Sequence, residues 1–150
     1  MKTLLILIAL ALGGCGTLRQ QAHTATGADV ATTYVGVFAT ERLSEVNPLI
    51  ASPGALLVSA AVRIGAVEYI NRMPEPKRTY NLATFNSISW GVVANNICAL
   101  AGFEPIMSIT CGAATGIWLW HKSGPEREFA AICAVEKTRN PNLVCKFNKG

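Results

Sequence analysis

The stretch "CALAGFEPIMSITCG" (residues 98–112) decides the fold class, because it joins two long apolar segments through a tight turn. The turn is "AGFEP", in which a glycine and a proline interrupt the helical pattern. Residues 82–100 before it and residues 106–120 after it are both long and apolar, as helices of a packed hairpin are. The sequence therefore predicts a helical hairpin with a cysteine near each side of its turn.

A second pair of helices is predicted upstream, over residues 28–43 and 55–70. The break "SEVNP" lies between them, and its proline ends one helix or begins the next. Residues 71–81, "NRMPEPKRTYN", contain two prolines and four charged residues, and so are predicted to link the two pairs. The fold class predicted is mainly α, with two helical hairpins and about four helices.

The C-terminal part is predicted to be a short extension of this helical domain. Gly124 and Pro125 in "HKSGPERE" are stop signals for the fourth helix. We therefore place the helical hairpin domain at residues 28–128 and the extension at residues 129–150. Short apolar runs around "KTRNPN" indicate either a small β-hairpin or a loose helix-turn in that extension.

The composition bounds the class of protein. Hydrophobic residues make up 51% of the 150 residues and charged residues only 15%, whereas an ordinary soluble domain carries about a quarter charged residues. This deficit indicates lipid contact or a very apolar helical core. The net charge is +4, but the basic residues are scattered, and a nucleic-acid site needs a basic stripe with stacking aromatics. We therefore expect no nucleic-acid partner.

The N-terminus has the pattern of an export signal. Lys2 precedes an apolar run over residues 4–12, which is too short to span a bilayer and typical of a signal peptide. The stretch "LGGC" (residues 12–15) resembles the lipobox of bacterial lipoproteins. That resemblance implies a signal peptide at residues 1–14, a lipid on Cys15 and a lipidated tether over residues 15–27. The alternative is an uncleaved apolar N-terminus in which Cys15 is a small packing residue.

The resemblance to lipoproteins also implies a location. The residue after Cys15 is glycine rather than aspartate, and by analogy with that class this favours the outer membrane of a Gram-negative host over the inner membrane. The implied partner is membrane lipid, and the implied cellular location is the cell envelope.

A second resemblance lies in the first predicted helix pair. It consists of an aspartate with following threonines, a Glu-x-Asn-Pro break and a basic residue in the next helix: Asp29, Thr32, Thr33, Glu45, Asn47, Pro48 and Arg63. This pattern resembles the DUF5658-like family of small bacterial membrane proteins of unknown function. The resemblance implies a membrane location and no known activity.

Charged residues inside apolar segments are candidate functional groups. Asp29 and Arg63 are predicted to form a buried ion pair between the first two helices, since a lone buried charge needs a partner. The alternative is a proton or ion path that also uses Glu45 and Glu68, because intramembrane charges often mark such paths.

Small residues recur every four positions in the fourth predicted helix, at Ser108, Gly112 and Gly116. Such a stripe lets two helices approach closely. The neighbouring helix belongs either to the same chain or to a second copy in a homo-oligomer.

Four cysteines remain if Cys15 carries a lipid, and an even number in an exported protein favours disulfides. Three pairings are possible, of which neighbour pairing, Cys98 with Cys111 and Cys133 with Cys145, is the simplest. The alternative for Cys98 and Cys111 is that they are small apolar fillers. No Cys-x-x-Cys spacing or nearby histidine pair indicates a metal site, and we expect no cofactor.

The expected function is non-enzymatic, because no Ser-His-Asp order or phosphate-binding glycine loop is present. We expect a lipid-anchored, membrane-associated envelope protein of bacterial or phage origin with a structural or interaction role, acting with itself or another envelope protein. The alternative is a small polytopic membrane protein with a holin-like or transport role. The basic residues of the loop at 71–81 oppose a simple multi-span topology, because export of Cys15 would place that loop outside the cytoplasm.

Overall fold

The computed structural model describes residues 16–40 and 52–147, and this part of the chain is mainly helical, which confirms the predicted fold class. Five α-helices and one π-helical segment follow one another: α1 Leu18–Thr33, the π segment Tyr34–Ala39, α2 Pro53–Asn71, α3 Lys77–Leu100, α4 Pro105–Lys122 and α5 Gly124–Arg139.

Helix α1 begins well before the predicted start, so the expected tether over residues 15–27 is wrong from Leu18 onward. The Thr17 hydroxyl accepts a hydrogen bond from the backbone N–H of Gln20, and the Gln20 side chain accepts one from the N–H of Thr17. This capping box satisfies two backbone donors that would otherwise lack partners. Leu18 and Ala22 are buried, so tertiary packing stabilises a segment whose polar composition suggested a linker.

The linker between the two hairpins is also shorter than predicted, because α3 begins at Lys77 rather than at residue 82. The Glu75 carboxylate accepts a hydrogen bond from the backbone N–H of Thr79 at 3.2 Å and also binds the Arg78 guanidinium. A carboxylate at this position suits the positive end of the helix dipole. One of the charged residues that suggested a linker, Glu75, therefore binds the first turn of the helix.

Of the two alternatives for residues 129–150, the β-hairpin is wrong for the part that the structure describes, since residues 16–40 and 52–147 contain no strand. Helix α5 occupies most of it. Pro125 lies in its first turn, Glu126 follows there, and Lys137 and Arg139 lie in the last turn. Proline and an acidic residue at the start with basic residues at the end favour a helix, and they outweigh the interrupted apolar pattern.

Four helix ends meet at one end of the bundle, here called the basal end. It contains the first residue of α1, the last of α2, the first of α3 and the last of α4. The Asn86 side chain of α3 donates to the Leu18 carbonyl of α1 at 2.8 Å, and the rings of Tyr80 and Trp120 meet edge to face with centroids 5.2 Å apart. The turn at residues 101–104 between α3 and α4 marks the opposite, distal end.

The core lies where α1 packs against α2 and α3. One cluster contains Leu18, Ala22, Val67, Leu82 and Ala83, and a second contains Ala25, Trp90 and Val93. Ala22 and Ala25 of α1 are fully buried, so the α1 backbone lies close to its neighbours there. The core is small, and most large apolar side chains of α2 and α4 lie outside it.

Candidate functional site

The predicted partners Asp29 and Arg63 lie together in a polar cluster that joins three helices. The Arg63 guanidinium of α2 binds Oδ2 of Asp29 in α1. The Asn96 amide of α3 donates to Oδ1 of Asp29 at 3.2 Å and also lies within 3.3 Å of the hydroxyls of Thr32 and Thr33. Asp29 is only 5% exposed, so this cluster holds a buried carboxylate with a cation on one oxygen and an amide on the other.

This geometry is that of an ion pair and a hydrogen bond that join α1, α2 and α3, rather than of a path of acidic groups. Glu68 lies outside the cluster, where its carboxylate binds the Arg19 guanidinium at 2.8 Å and Nε2 of His23 at 2.8 Å. Glu45 is outside the described residues. The charges that sequence analysis grouped together therefore form two separate links between α1 and α2.

The link around Glu68 sits at the basal end and is half-exposed. Hydrogen bonds from Arg19, and secondarily from His23, hold the pKa of the Glu68 carboxyl below its ordinary value. The charged form of Glu68 therefore stabilises the contact between the start of α1 and the end of α2.

Helices α3 and α4 touch backbone to backbone. A side-chain carbon added at Gly112 would lie 2.6 Å from the Gly91 carbonyl oxygen, and one added at Gly116 would lie 2.9 Å from that of Ser87. The predicted stripe thus packs inside the chain: Gly112 and Ser108 are buried, and the facing glycine on α3 is Gly91. Small residues are needed here because nothing larger than hydrogen fits between the two backbones.

An open groove of about 720 Å³ runs along the same two helices. Its floor consists of small residues, including Gly91, Gly112 and Ala113, and its walls include Ile88, Val92 and Ile117. None of the residues that line it carries a charge. The only Asp, Glu, Lys or Arg between Thr79 and His121 is Glu104, in the distal turn.

Aromatic and cationic side chains close the basal mouth of the groove. Tyr80 and Trp120 line it, and the Arg127 guanidinium from α5 stacks on Trp120, with Cζ 3.4 Å from the ring centroid. Arg127 also donates to the Trp120 carbonyl at 2.9 Å. Outside the groove lining, near the end of α4, Nζ of Lys122 lies 4.9 Å from the Trp118 ring centroid. Such pairs of aromatic and basic residues are typical of membrane–water interfaces.

The four described cysteines form two disulfides, Cys98–Cys111 and Cys133–Cys145, which are the neighbour pairings. Cys133 and Cys145 line a cleft at the basal end together with Thr79, whereas Cys98 lies about 28 Å farther along α3 at 1.5 Å per residue. The two bonds therefore lie at opposite ends of the bundle.

One helix in the described part, α2, is long and apolar enough to cross a membrane. Only Leu56 and Val67 of its residues are buried, so it is not the core helix of this bundle. Its outer face exposes large apolar side chains such as Leu57, Val58 and Val62, which are 66%, 64% and 66% exposed.

The predicted lipid attachment residue, Cys15, lies outside the described residues. The described part of the chain begins at Gly16, whose φ of 111° lies in the left-handed region that favours glycine. Helix α1 follows at the basal end. Within residues 16–40 and 52–147, no group of three His, Cys, Asp or Glu side chains is arranged to hold a metal ion.

Comparison of the chain with known protein families, with curated proteins and with solved structures finds no match.

Sequence analysis missed three residues that organise these sites: Asn96, Gly91 and Arg127. Asn96 is one of several polar residues in α3, and only its register opposite Asp29 distinguishes it. Gly91 faces Gly112 from another helix, so a stripe seen in one helix does not show it. Arg127 follows Trp120 by seven residues across a turn, and only the geometry of that turn brings the two together.

Proposed function

We propose that this chain is a lipid-anchored, membrane-associated protein of the bacterial or phage cell envelope, with a structural or interaction role. The observation that carries the proposal is the exposed apolar surface of α2 and α4. Burying a Val, Leu or Ile side chain is worth about 1.5–3 kcal/mol, and α2 alone leaves Leu57, Val58 and Val62 more than half exposed. Covering this surface with lipid or another protein is therefore strongly favourable.

The basal end suits the side that meets the membrane. A lipid on Cys15 would be attached one residue before Gly16, and so close to the start of α1. The same end carries Lys77 and Lys122, which are exposed, and the tryptophan rings at the mouth of the groove. Cations and tryptophans near an anchor favour contact with phospholipid headgroups.

The test is metabolic labelling with radioactive palmitate, followed by separation of inner and outer membranes. Wild type is expected to carry the label and to fractionate with the outer membrane, and Cys15→Ser is expected to lose both properties. Cys145→Ser is the matched control, since it removes a cysteine elsewhere and is expected to keep the label. An unlabelled wild type with an uncleaved N-terminus contradicts the proposal.

A second candidate, a small polytopic membrane protein with a holin-like or transport role, is favoured by the length and exposure of α2. The two disulfides weigh against it. Thr79, which lines the cleft beside Cys133 and Cys145, and Cys98 are about 28 Å apart along α3, close to the roughly 30 Å thickness of the hydrocarbon core. If α3 crossed the cytoplasmic membrane, one disulfide would face the reducing cytosol.

Thiol trapping in intact cells separates the two candidates. Alkylation without reductant is expected to label neither Cys98 and Cys111 nor Cys133 and Cys145 if both ends are outside the cytoplasm. Labelling of one pair alone favours the polytopic candidate.

A further inference from the structure

We propose that the groove between α3 and α4 binds one acyl chain of a membrane glycerophospholipid, with the phosphate at the basal mouth beside Arg127. This inference rests on the proposed membrane association and adds a defined lipid site to it. It is carried by the shape of the groove, the chemistry of its lining and the position of its mouth.

The dimensions fit a single hydrocarbon chain. The groove runs from Tyr80 to Asn95 along α3, which is about 22 Å at 1.5 Å per residue. One leaflet of a bilayer is about 15 Å of hydrocarbon, half of a core of about 30 Å. The groove is therefore long enough to hold a whole acyl chain.

The lining is apolar at the walls and small at the floor. Ile88 and Ile117 on the walls are 64% and 60% exposed, and a chain lying between them would remove both from water. Gly91, Gly112 and Ala113 have small or no side chains, so a single hydrocarbon chain can lie along the groove between the larger side chains of its walls. No charged side chain opposes it.

The mouth supplies the complement for a headgroup. The Arg127 guanidinium is fixed over the Trp120 ring and lies 5.9 Å from the Tyr80 ring centroid, and both rings line the groove. An anionic phosphate is the group that a guanidinium at this position attracts. Because the mouth opens at the end that carries the proposed anchor, a chain can enter it without crossing water.

A second copy of this chain fits the groove less well. A symmetric dimer brings the same surface of each copy together, and two concave grooves facing each other would leave a void along their length. Insertion of α2 from another copy would be a heterologous contact, which builds a ring or an open filament rather than a two-fold dimer. An acyl chain fills the groove without either difficulty.

The experiment uses the full chain in phosphatidylglycerol vesicles that contain a phospholipid with a photoactivatable acyl chain, and crosslinks are mapped by mass spectrometry. Crosslinks are expected to concentrate on Ile88, Val92 and Ile117. Ala113→Phe places a ring in the groove and is expected to reduce this labelling severalfold. Ala114→Phe is the matched control, since Ala114 is exposed outside the groove and its substitution is expected to leave the labelling unchanged.

Vesicle flotation and circular dichroism are measured on the same samples. If Ala113→Phe folds and floats like wild type but labels as strongly, the groove proposal is overturned while membrane association stands. Loss of flotation in wild type overturns both. Labelling of the groove only in Cys15→Ser also overturns the proposal, because the chain's own anchor would then occupy the groove. A dimer in wild type that Ala113→Phe dissociates would assign the groove to a second copy instead.

Discussion

Replacing Gly112 with alanine tests whether α3 and α4 depend on backbone contact. The added methyl carbon would lie 2.6 Å from the Gly91 carbonyl oxygen and 3.0 Å from Cβ of Asn95. The first distance is about 0.8 Å shorter than the 3.4 Å at which ordinary van der Waals contact begins. Both obstacles belong to or adjoin the α3 backbone, so no side chain can rotate away and the helices must separate.

The expected cost follows from two opposing effects. Overpacking a tight site costs about 1–3 kcal/mol, and a rigid backbone neighbour places Gly112 at the upper end. Alanine has a higher helix propensity than glycine by about 1 kcal/mol, which offsets part of that loss. We therefore expect Gly112→Ala to lower the free energy of unfolding by about 2 kcal/mol, or the Tm by about 8 °C for a chain of this size.

Gly65→Ala is the matched control, because Gly65 lies in the middle of α2 and an added methyl carbon there meets no atom within 4 Å. The same helix-propensity gain then acts without a clash, so its Tm is expected to rise by about 4 °C. The assay is thermal unfolding of the full chain in mild detergent, followed by far-ultraviolet circular dichroism. Equal shifts for the two variants, in either direction, would refute the reasoning that the α3–α4 contact excludes a side chain.

Three further predictions concern the polar links. Arg63→Ala is expected to lower the Tm by leaving the buried carboxylate of Asp29 without its cation, and Asp29→Ala with Arg63→Ala to recover part of the loss; strictly additive melting shifts would contradict a direct pairing. The pKa of Glu68 is lower in the folded state than in the unfolded state, so its contribution to stability is present above the unfolded-state pKa and is lost as the pH falls through the folded-state pKa. The Tm of wild type is therefore expected to exceed that of Glu68→Gln at neutral pH and to equal it in acid. A Tm difference that persists in acid would disprove the link. Arg127→Ala is expected to destabilise the start of α5 by about 1–2 kcal/mol through loss of the stacked cation. Arg127→Lys is expected to keep only part of that stability, because lysine lacks the planar guanidinium. Hydrogen exchange in α5 measures both effects, and equal protection in wild type and the two variants would count against the stack.

The helices of the second hairpin are predictable from the sequence, because a long apolar segment needs little more than its own composition to form a packed helix. Residues 82–100 and 106–120 fall inside α3 and α4. The helix starts are less predictable, since they depend on side chains that cap the backbone. Thr17 and Glu75 each accept a hydrogen bond from the first turn of a helix in a polar segment, and such a segment resembles a linker until its hydrogen bonds are known.

The residues of the candidate sites also fall into those that the sequence predicts and those that it does not. The partners Asp29 and Arg63 follow from the cost of burying a lone charge, and the cysteine pairs follow from short loops. Asn96 and Arg127 do not follow from any local pattern, because each acts through a contact that only tertiary structure creates. The groove likewise cannot be predicted from a local sequence pattern, because two separate helices form its floor and walls.

The close contact of α3 and α4 and the groove beside it have one physical origin. Gly91 and Gly112 bring the two backbones together because they lack side chains, and the same lack leaves the floor of the groove open. A larger residue at either position would meet the facing backbone and separate the two helices that form the groove. Substitutions that weaken this helix pair should therefore weaken lipid labelling as well, whereas Ala113→Phe places its ring in the groove itself and should affect labelling alone.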